Sequence, residues 1–185
     1  MSDLALIVRP ATAADAAQIA AVHIQSWHET YAGLLPPSYL ERMTGERMLE
    51  LRRANWRLVL QGGVQGSGEV VRVATLAGRV LAFASGGSVR PHPVIPGDYS
   101  AEVYTLYALR EGQGRGLGRR LLAEVAHELA RRGHRGMALW VLASNPTRQF
   151  YAHLGGVELG QKSEEIQGGA LSEVALGWRR LESLY

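Results

Sequence analysis

An α/β fold is what this 185-residue sequence predicts, and three stretches predict it. Residues 101–120, AEVYTLYALREGQGRGLGRR, pass from an apolar run through a glycine-rich turn into helical periodicity. Residues 136–156, GMALWVLASNPTRQFYAHLGG, pass from a second apolar run into a short helix. Residues 70–89, broken at Ala77-Gly78, read as a hairpin of two strands. Strand and helix patterns alternate along the chain, which is the mark of an α/β architecture.

The elements follow in order. Residues 7–12 lead into a helix carrying Ile19, Val22, His23 and Trp27. Thr12 and Asp15 stand at capping-box spacing, with Asp in place of the usual Glu or Gln. Residues 61–69 are glycine-rich and read as a mobile loop between a helix and the hairpin. In the next strand, Val103, Thr105, Tyr107 and Leu109 alternate with Tyr104, Leu106 and Ala108. That is apolar enough for burial on both faces. Beyond the turn at residues 113–118, Leu117, Leu121, Leu122, Val125, Ala126 and Leu129 recur at helical spacing. Residues 137–142 are an apolar run of strand length. Asn145 is then an N-cap and Pro146 a first helical residue. That helix carries Phe150, Tyr151 and Leu154 and stops at Gly155-Gly156.

Glycines at a helix start let a ligand approach backbone N–H groups, and the helix dipole favours an anion there. Arg115, Arg119 and Arg120 add positive charge at that place. The turn is therefore a candidate phosphate cradle. It is not a nucleotide P-loop, because no Lys-Ser/Thr follows the glycines. It is not G-x-G-x-x-G, because the sixth position is Leu117 counted from Gly112 and Arg119 counted from Gly114. What remains is Gln-x-x-Gly-x-Gly.

Bulk properties narrow the class. The length suits one domain over residues 1–185. No apolar run approaches membrane-spanning length, the amino end lacks a signal-peptide core, and there is no cysteine. A cytoplasmic protein without membrane association is the expectation. The net charge of +3 is modest, and the arginines occur singly or in pairs such as Arg52-Arg53, so nucleic-acid binding is not expected. No serine sits in G-x-S-x-G, and no histidine pair has metal-ligating spacing; no metal is expected.

The turn resembles the pyrophosphate-binding motif of the GNAT superfamily, the acetyl-CoA-dependent N-acetyltransferases. Residues 136–156 resemble its second motif: a strand, an Asn, a short helix with Phe-Tyr, then Leu-Gly. SWHETYAGLLP at residues 26–36 resembles the opening of many such enzymes, and residues 171–178 resemble the last strand. The resemblance implies a mixed, mostly antiparallel twisted sheet of six to seven strands flanked by about four helices. It implies acetyl transfer from acetyl-CoA to an amine of a small molecule or peptide, with a homodimer as the candidate assembly. The alternative is a CoA-binding regulatory or interaction domain without catalysis.

The resemblance also implies residue roles. Gln113, Gly114, Arg115, Gly116, Leu117, Gly118 and Arg119 would hold the pyrophosphate. The strand before them would be bulged, and the pantetheine would pair with its exposed edge. Tyr107, Ala108 and Leu109 would border that edge, with Tyr107 and Leu109 supplying backbone bonds. Asn145 would hold the pantetheine arm, although Asn145 to Tyr151 is six residues where many relatives have seven. Arg115 and Arg148 would either reach the CoA phosphates or remain solvated. Tyr151 would protonate the departing thiolate. Glu102 would be the general base or a substrate contact. Trp27, Glu29 and Tyr31 would face the acceptor. Its groove would be built from residues 27–39, 90–100 and 161–170, whose acids and aromatics suit a cationic amine or an ordinary wet surface alike.

Overall fold

The computed structural model describes residues 6–62 and 68–185. Seven strands form one sheet: β1 (Leu6–Pro10), β2 (Val70–Leu76), β3 (Arg79–Ser88), β4 (Tyr99–Ala108), β5 (Gly136–Leu142), β6 (Val157–Ile166) and β7 (Gly169–Trp178). Their spatial order is β1-β2-β3-β4-β5-β7-β6. Every neighbouring pair is antiparallel except β4 and β5, which run parallel. The helices are α1 (Ala16–Tyr31), α2 (Pro37–Thr44), α3 (Glu46–Leu60), α4 (Leu117–Arg131) and α5 (Thr147–His153). Residues 63–67, within the stretch read as a mobile loop, lie outside the described residues.

Two helical layers cover the sheet. Ser85 of β3 lies beside His23 of α1 and Arg52 of α3. Its neighbour Gly86 lies against Val125 and Leu129 of α4. Adjacent residues of a strand face opposite sides, so α1 and α3 cover one face and α4 the other. The α4 stripe of Leu117, Leu121, Leu122, Val125, Ala126 and Leu129 is buried throughout, as its spacing predicts. On the opposite face, Phe83 packs edge-on against Trp56 with ring centroids 5.3 Å apart.

The entry to α1 is fixed by charge. Asp15 accepts the Thr12 N–H at 2.8 Å and both Arg9 guanidinium nitrogens at 2.7 and 2.8 Å. Arg9 holds the Asp15 carboxyl below its usual range. Asp thus does the work of the usual capping-box Glu, with Arg9 of β1 as its third partner.

Five helices stand among the described residues, in keeping with the expected four or so, and Pro37–Thr44 forms α2 with Pro37 at its first position. Residues 157–166 form strand β6, which takes in much of the segment 161–170 expected at the acceptor groove and not read as a strand from its pattern. VELGQKSEEI has no apolar alternation, and pairing to β7 rather than burial holds it as a strand.

The sheet is irregular where it matters. Ser85 pairs with Thr105, and Gly86 with Val103, so Tyr104 is one residue too many on β4. This bulge bends β4. Pairing between β4 and β5 ends at Val103 and Leu139, and the two strands part beyond it.

Gly86 is required next to that bulge. A Cβ there would lie 2.8 Å from the Glu102 carbonyl oxygen and 3.0 Å from Val125 Cγ1. Gly86→Ala should destabilise the protein by about 1–3 kcal/mol, lowering Tm by about 2–4 °C per kcal/mol. A Cβ on Gly97 would meet nothing within 4 Å, so Gly97→Ala should leave the denaturant midpoint unchanged.

Candidate active site

The gap between β4 and β5 has an edge of free backbone groups. Leu109 donates its N–H to the Leu81 carbonyl at 2.9 Å. Alternation along an antiparallel ladder then turns Tyr107 and Thr105 toward β3, and Leu106 and Ala108 toward the gap. The Ala108 carbonyl accepts Gln113 Nε2 at 3.3 Å on that side. The expectation that Tyr107 and Leu109 supply the edge bonds is thus displaced by one residue. Their backbone groups are spent on β3, and the free N–H groups belong to Leu106 and Ala108.

The gap runs into the start of α4. Gly114 and Gly116 have φ of 71° and 73°, the left-handed region that glycine adopts without strain. The first bond of α4 joins Arg120 N–H to the Gly116 carbonyl at 3.1 Å. The N–H groups of Leu117, Gly118 and Arg119 therefore have no acceptor within the helix. A Cβ on Gly118 would lie 3.2 Å from Phe150 Cζ, so its bareness lets α5 close on the helix start. These free donors fit a phosphate, as the sequence predicts for this turn.

Gap and helix start bound a cleft of about 490 Å³. Tyr31, Tyr107, Ala108, Gln113, Gly114, Gly116, Leu117, Gly118, Arg119, Asn145 and Tyr151 all line it. Tyr151 is 6% exposed, between Phe150 at 5.1 Å and Trp178 at 6.3 Å between ring centroids. Burial, then the nearby Tyr107, raises the Tyr151 phenol above its ordinary value, so it keeps its proton at neutral pH. Asn145 Oδ1 accepts the Thr147 N–H at 3.0 Å. The helix itself begins at Thr147 with Pro146 at its cap position, so Asn145 stands one place earlier than the sequence placed it and bonds the first helical N–H from there.

Other predicted residues stand apart from the cleft. Arg148 is bonded to the Ala143 carbonyl at 3.0 Å and to Glu158 at 3.2 Å, away from the turn. Arg115 is exposed within the turn and does not line the cleft. Glu29 accepts the Arg110 N–H at 2.7 Å, which fixes α1 to the end of β4 rather than facing an acceptor. Trp27 stacks edge-on with Tyr31 at 4.9 Å, behind the cleft wall. Glu102 has no exposed surface. Its carboxylate accepts the Arg90 N–H at 2.9 Å and Nε at 3.1 Å, and pairs with Nη2 as well.

The sequence reading missed a second pocket of about 440 Å³ on the α1/α3 face. His23, Arg52, Asn55, Trp56, Glu69, Ser85, Arg90, Tyr104 and Thr105 line it. Tyr104 and Thr105 line the cleft too, so the bulge separates the two spaces. One signal was present: Arg52 lies four residues before Trp56, which puts both on one helix face. Burial, with a smaller effect of Arg52, pushes His23 down to about 3. Its ring stacks on Tyr107 at 4.9 Å.

A split sheet whose gap leads into an open helix start defines a class of fold that takes an extended ligand with an anionic end. Comparison with known proteins agrees. The FR47-like protein family model matches residues 95–165. The uncharacterized N-acetyltransferase YuaI of Bacillus subtilis strain 168 is 33% identical over 177 residues, covering 96% of this chain and 95% of its own length. Two solved structures share the fold. PaiA N-acetyltransferase from Thermoplasma acidophilum, in complex with coenzyme A, has a TM-score of 0.68 at 18% identity, over 95% of this chain and 99% of its own. The yncA protein of Salmonella typhimurium, with acetyl-CoA, has a TM-score of 0.69 at 23% identity, over 95% and 94%. The chain belongs to the GNAT superfamily and is an acetyltransferase of that type. Among the described residues, no cluster of metal-ligating side chains occurs and no helix is long and apolar enough to cross a membrane.

The neutral His23 gives a pH signature. The unfolded chain protonates this ring near 6.5, the folded chain only near 3. Unfolding therefore takes up a proton between those values, and stability falls as pH falls through that window. The slope approaches about 1.4 kcal/mol per pH unit. His23→Gln should remove that component, seen as a shallower fall of the urea midpoint between pH 7 and 4.5 than in the wild type.

Proposed function

We propose that this chain transfers an acetyl group from acetyl-CoA to the amine of a small molecule or peptide, by direct attack of the amine on the thioester. The observation that carries this reading is the free β4 edge at Leu106 and Ala108, continuous with the unpartnered N–H groups at the start of α4. An extended amide-bearing arm can pair with such an edge as an added strand does. A pyrophosphate fits the helix start, where Gly114, Gly116 and Gly118 leave the backbone bare. Arg119 adds charge at that end. A cytoplasmic enzyme is the corresponding setting for a chain with no cysteine.

The chemistry has three needs. The thioester oxygen gains charge during attack, and an outward N–H of Leu106 or Ala108 is the donor available to it. The carbon–nitrogen bond forms as the carbon–sulfur bond breaks, and the sulfur leaves as a thiol if a proton reaches it. Tyr151 holds that proton in the cleft wall, where burial keeps the phenol protonated at neutral pH and its O–H able to donate to the departing sulfur. The amine must lose a proton as well. Glu102 is expected from the resemblance as the base or a substrate contact, but its oxygens are taken up by Arg90 and it does not line the cleft. We assign Glu102 the anchoring of Arg90. The amine's proton passes to water in the cleft mouth, oriented by the outward carbonyl of Leu106.

Thiol release from acetyl-CoA over a panel of amines tests the reading, and two substitutions separate its parts. Tyr151→Phe keeps the ring and deletes the donor, so kcat should fall by roughly 10²-fold with little change in the acetyl-CoA KM. Gly116→Val places a branched residue where φ is 73°, and should weaken acetyl-CoA binding by at least about tenfold in calorimetry. A Tyr151→Phe enzyme with wild-type kcat would mean that the ring only packs.

The assignment of Glu102 has its own test. Glu102→Gln should leave the acidic limb of the kcat/KM pH profile in place while raising the acceptor KM through a loosened Arg90. Loss of that limb would restore Glu102 as the base.

A further inference from the structure

The second pocket holds a buried cation that has no anion among the described residues. Arg52 is 8% exposed, yet it lines the pocket and its Nη1 has no hydrogen-bond partner among the described residues. No carboxylate among the described residues forms an ion pair with it. One face of its guanidinium lies over the Trp27 ring at 4.9 Å, which orients the group without neutralising it. Burial works against this charge and lowers the pKa of Arg52. A buried, unpaired charge is costly to keep unless something it binds completes it.

The surrounding groups define what fits. Arg90, the other arginine of the pocket, is engaged by Glu102. Ser85 and Thr105 hydroxyls, 2.8 Å apart, offer further polar contacts on the pocket wall, with Asn55 beside them. The carboxyl group in the pocket is Glu69, which burial raises above its ordinary value and which feels Arg90 rather than Arg52. His23 is neutral, and its Nδ1 has no partner among the described residues. The space of about 440 Å³ suits a molecule of single-amino-acid size, not a folded peptide. The pocket meets the cleft at Tyr104 and Thr105, and the charge of Arg52 is felt by Tyr31 and Tyr107 in the cleft wall.

We propose that the acetylated amine carries an oxyanion, most simply the carboxylate of an amino-acid-class molecule, and that Arg52 binds that oxyanion in this pocket. The proposal rests on the acetyltransferase reading above, and supplies what that reading leaves open. It also replaces a cationic acceptor. The acids that suggested one are engaged elsewhere or lie on the surface: Glu29 at Arg110, Asp98 at Arg179, Glu164 and Glu165 on exposed β6.

The test is a matched panel read by thiol release: free L-amino acids, their carboxamides, the corresponding decarboxylated amines, and phosphoethanolamine. The free acids should exceed their carboxamides in kcat/KM by at least tenfold, and Arg52→Gln should erase that preference by raising the acceptor KM. Acetyl-CoA affinity, measured by calorimetry, should not change. Arg52→Lys should restore part of the preference. Turnover of phosphoethanolamine in place of amino acids would assign the oxyanion to phosphate. Binding of N-acetyl amino acids and their carboxamides to the CoA-loaded protein supplies a second readout that needs no turnover. Equal handling of acids and carboxamides in both assays overturns the proposal, as does a preference that survives Arg52→Gln. Wild-type protein that fails to bind acetyl-CoA at all overturns the acetyltransferase reading itself, and the acceptor proposal falls with it.

Discussion

One extra residue on β4 governs the molecule. Up to Val103 the strand pairs with β5 in an ordinary parallel ladder; past Tyr104 it cannot. Central strands of a sheet normally spend their backbone groups on both neighbours. Here the N–H groups of Leu106 and Ala108 are left open in the middle of the sheet rather than at its rim. The rest of the site is arranged around that opening. β4 turns directly into the α4 start, β5 turns directly into α5, and Gly118 lets the two helices approach. The bulge also divides the space above the sheet from the cleft within it, because Tyr104 and Thr105 border both.

The two spaces differ in electrostatic character. The cleft is lined by backbone donors, glycines and neutral phenols, with positive potential concentrated at one helix start. That polarity costs little to maintain, since helix-end N–H groups are unpaired in any helix. The second pocket carries formal charge under burial, with Arg52 unpaired and His23 held neutral. Such an arrangement reduces folded-state stability, and its retention in a pocket that opens toward the cleft is understandable if a ligand restores the balance.

Legibility from sequence followed the range of the interactions involved. The α4 start and the α5 cap were readable because their chemistry is local: glycines at fixed offsets, and Asn145 bonding to a residue two places on. The buried α4 stripe was readable from its period. The bulge and its open edge were implied by the family resemblance, but the edge was read one residue off because a strand's period of two does not say where a bulge falls; the pairing of Gly86 with Val103 places it. β6 escaped notice because its register comes from β7 and not from its own pattern. The partners of Glu102, Arg148 and Glu29 lie at residues 90, 143, 158 and 110, and only the folded arrangement selects them. Arg52 looked like half of an ordinary basic pair because its burial depends on Trp27, a helix away.

The same sheet has two outer rims, and both are defended against self-association. β1, over its described residues, ends in Arg9-Pro10, and Pro10 has no N–H to offer a further strand. β6 is ten residues long, and a flat apolar strand there would template the addition of a second chain. Instead it carries Glu158, Lys162, Glu164 and Glu165, and its pairing shifts register at Leu159, next to Gly160. The sequence that left β6 unrecognisable as a strand is therefore what keeps it from becoming a seed for intermolecular sheet growth.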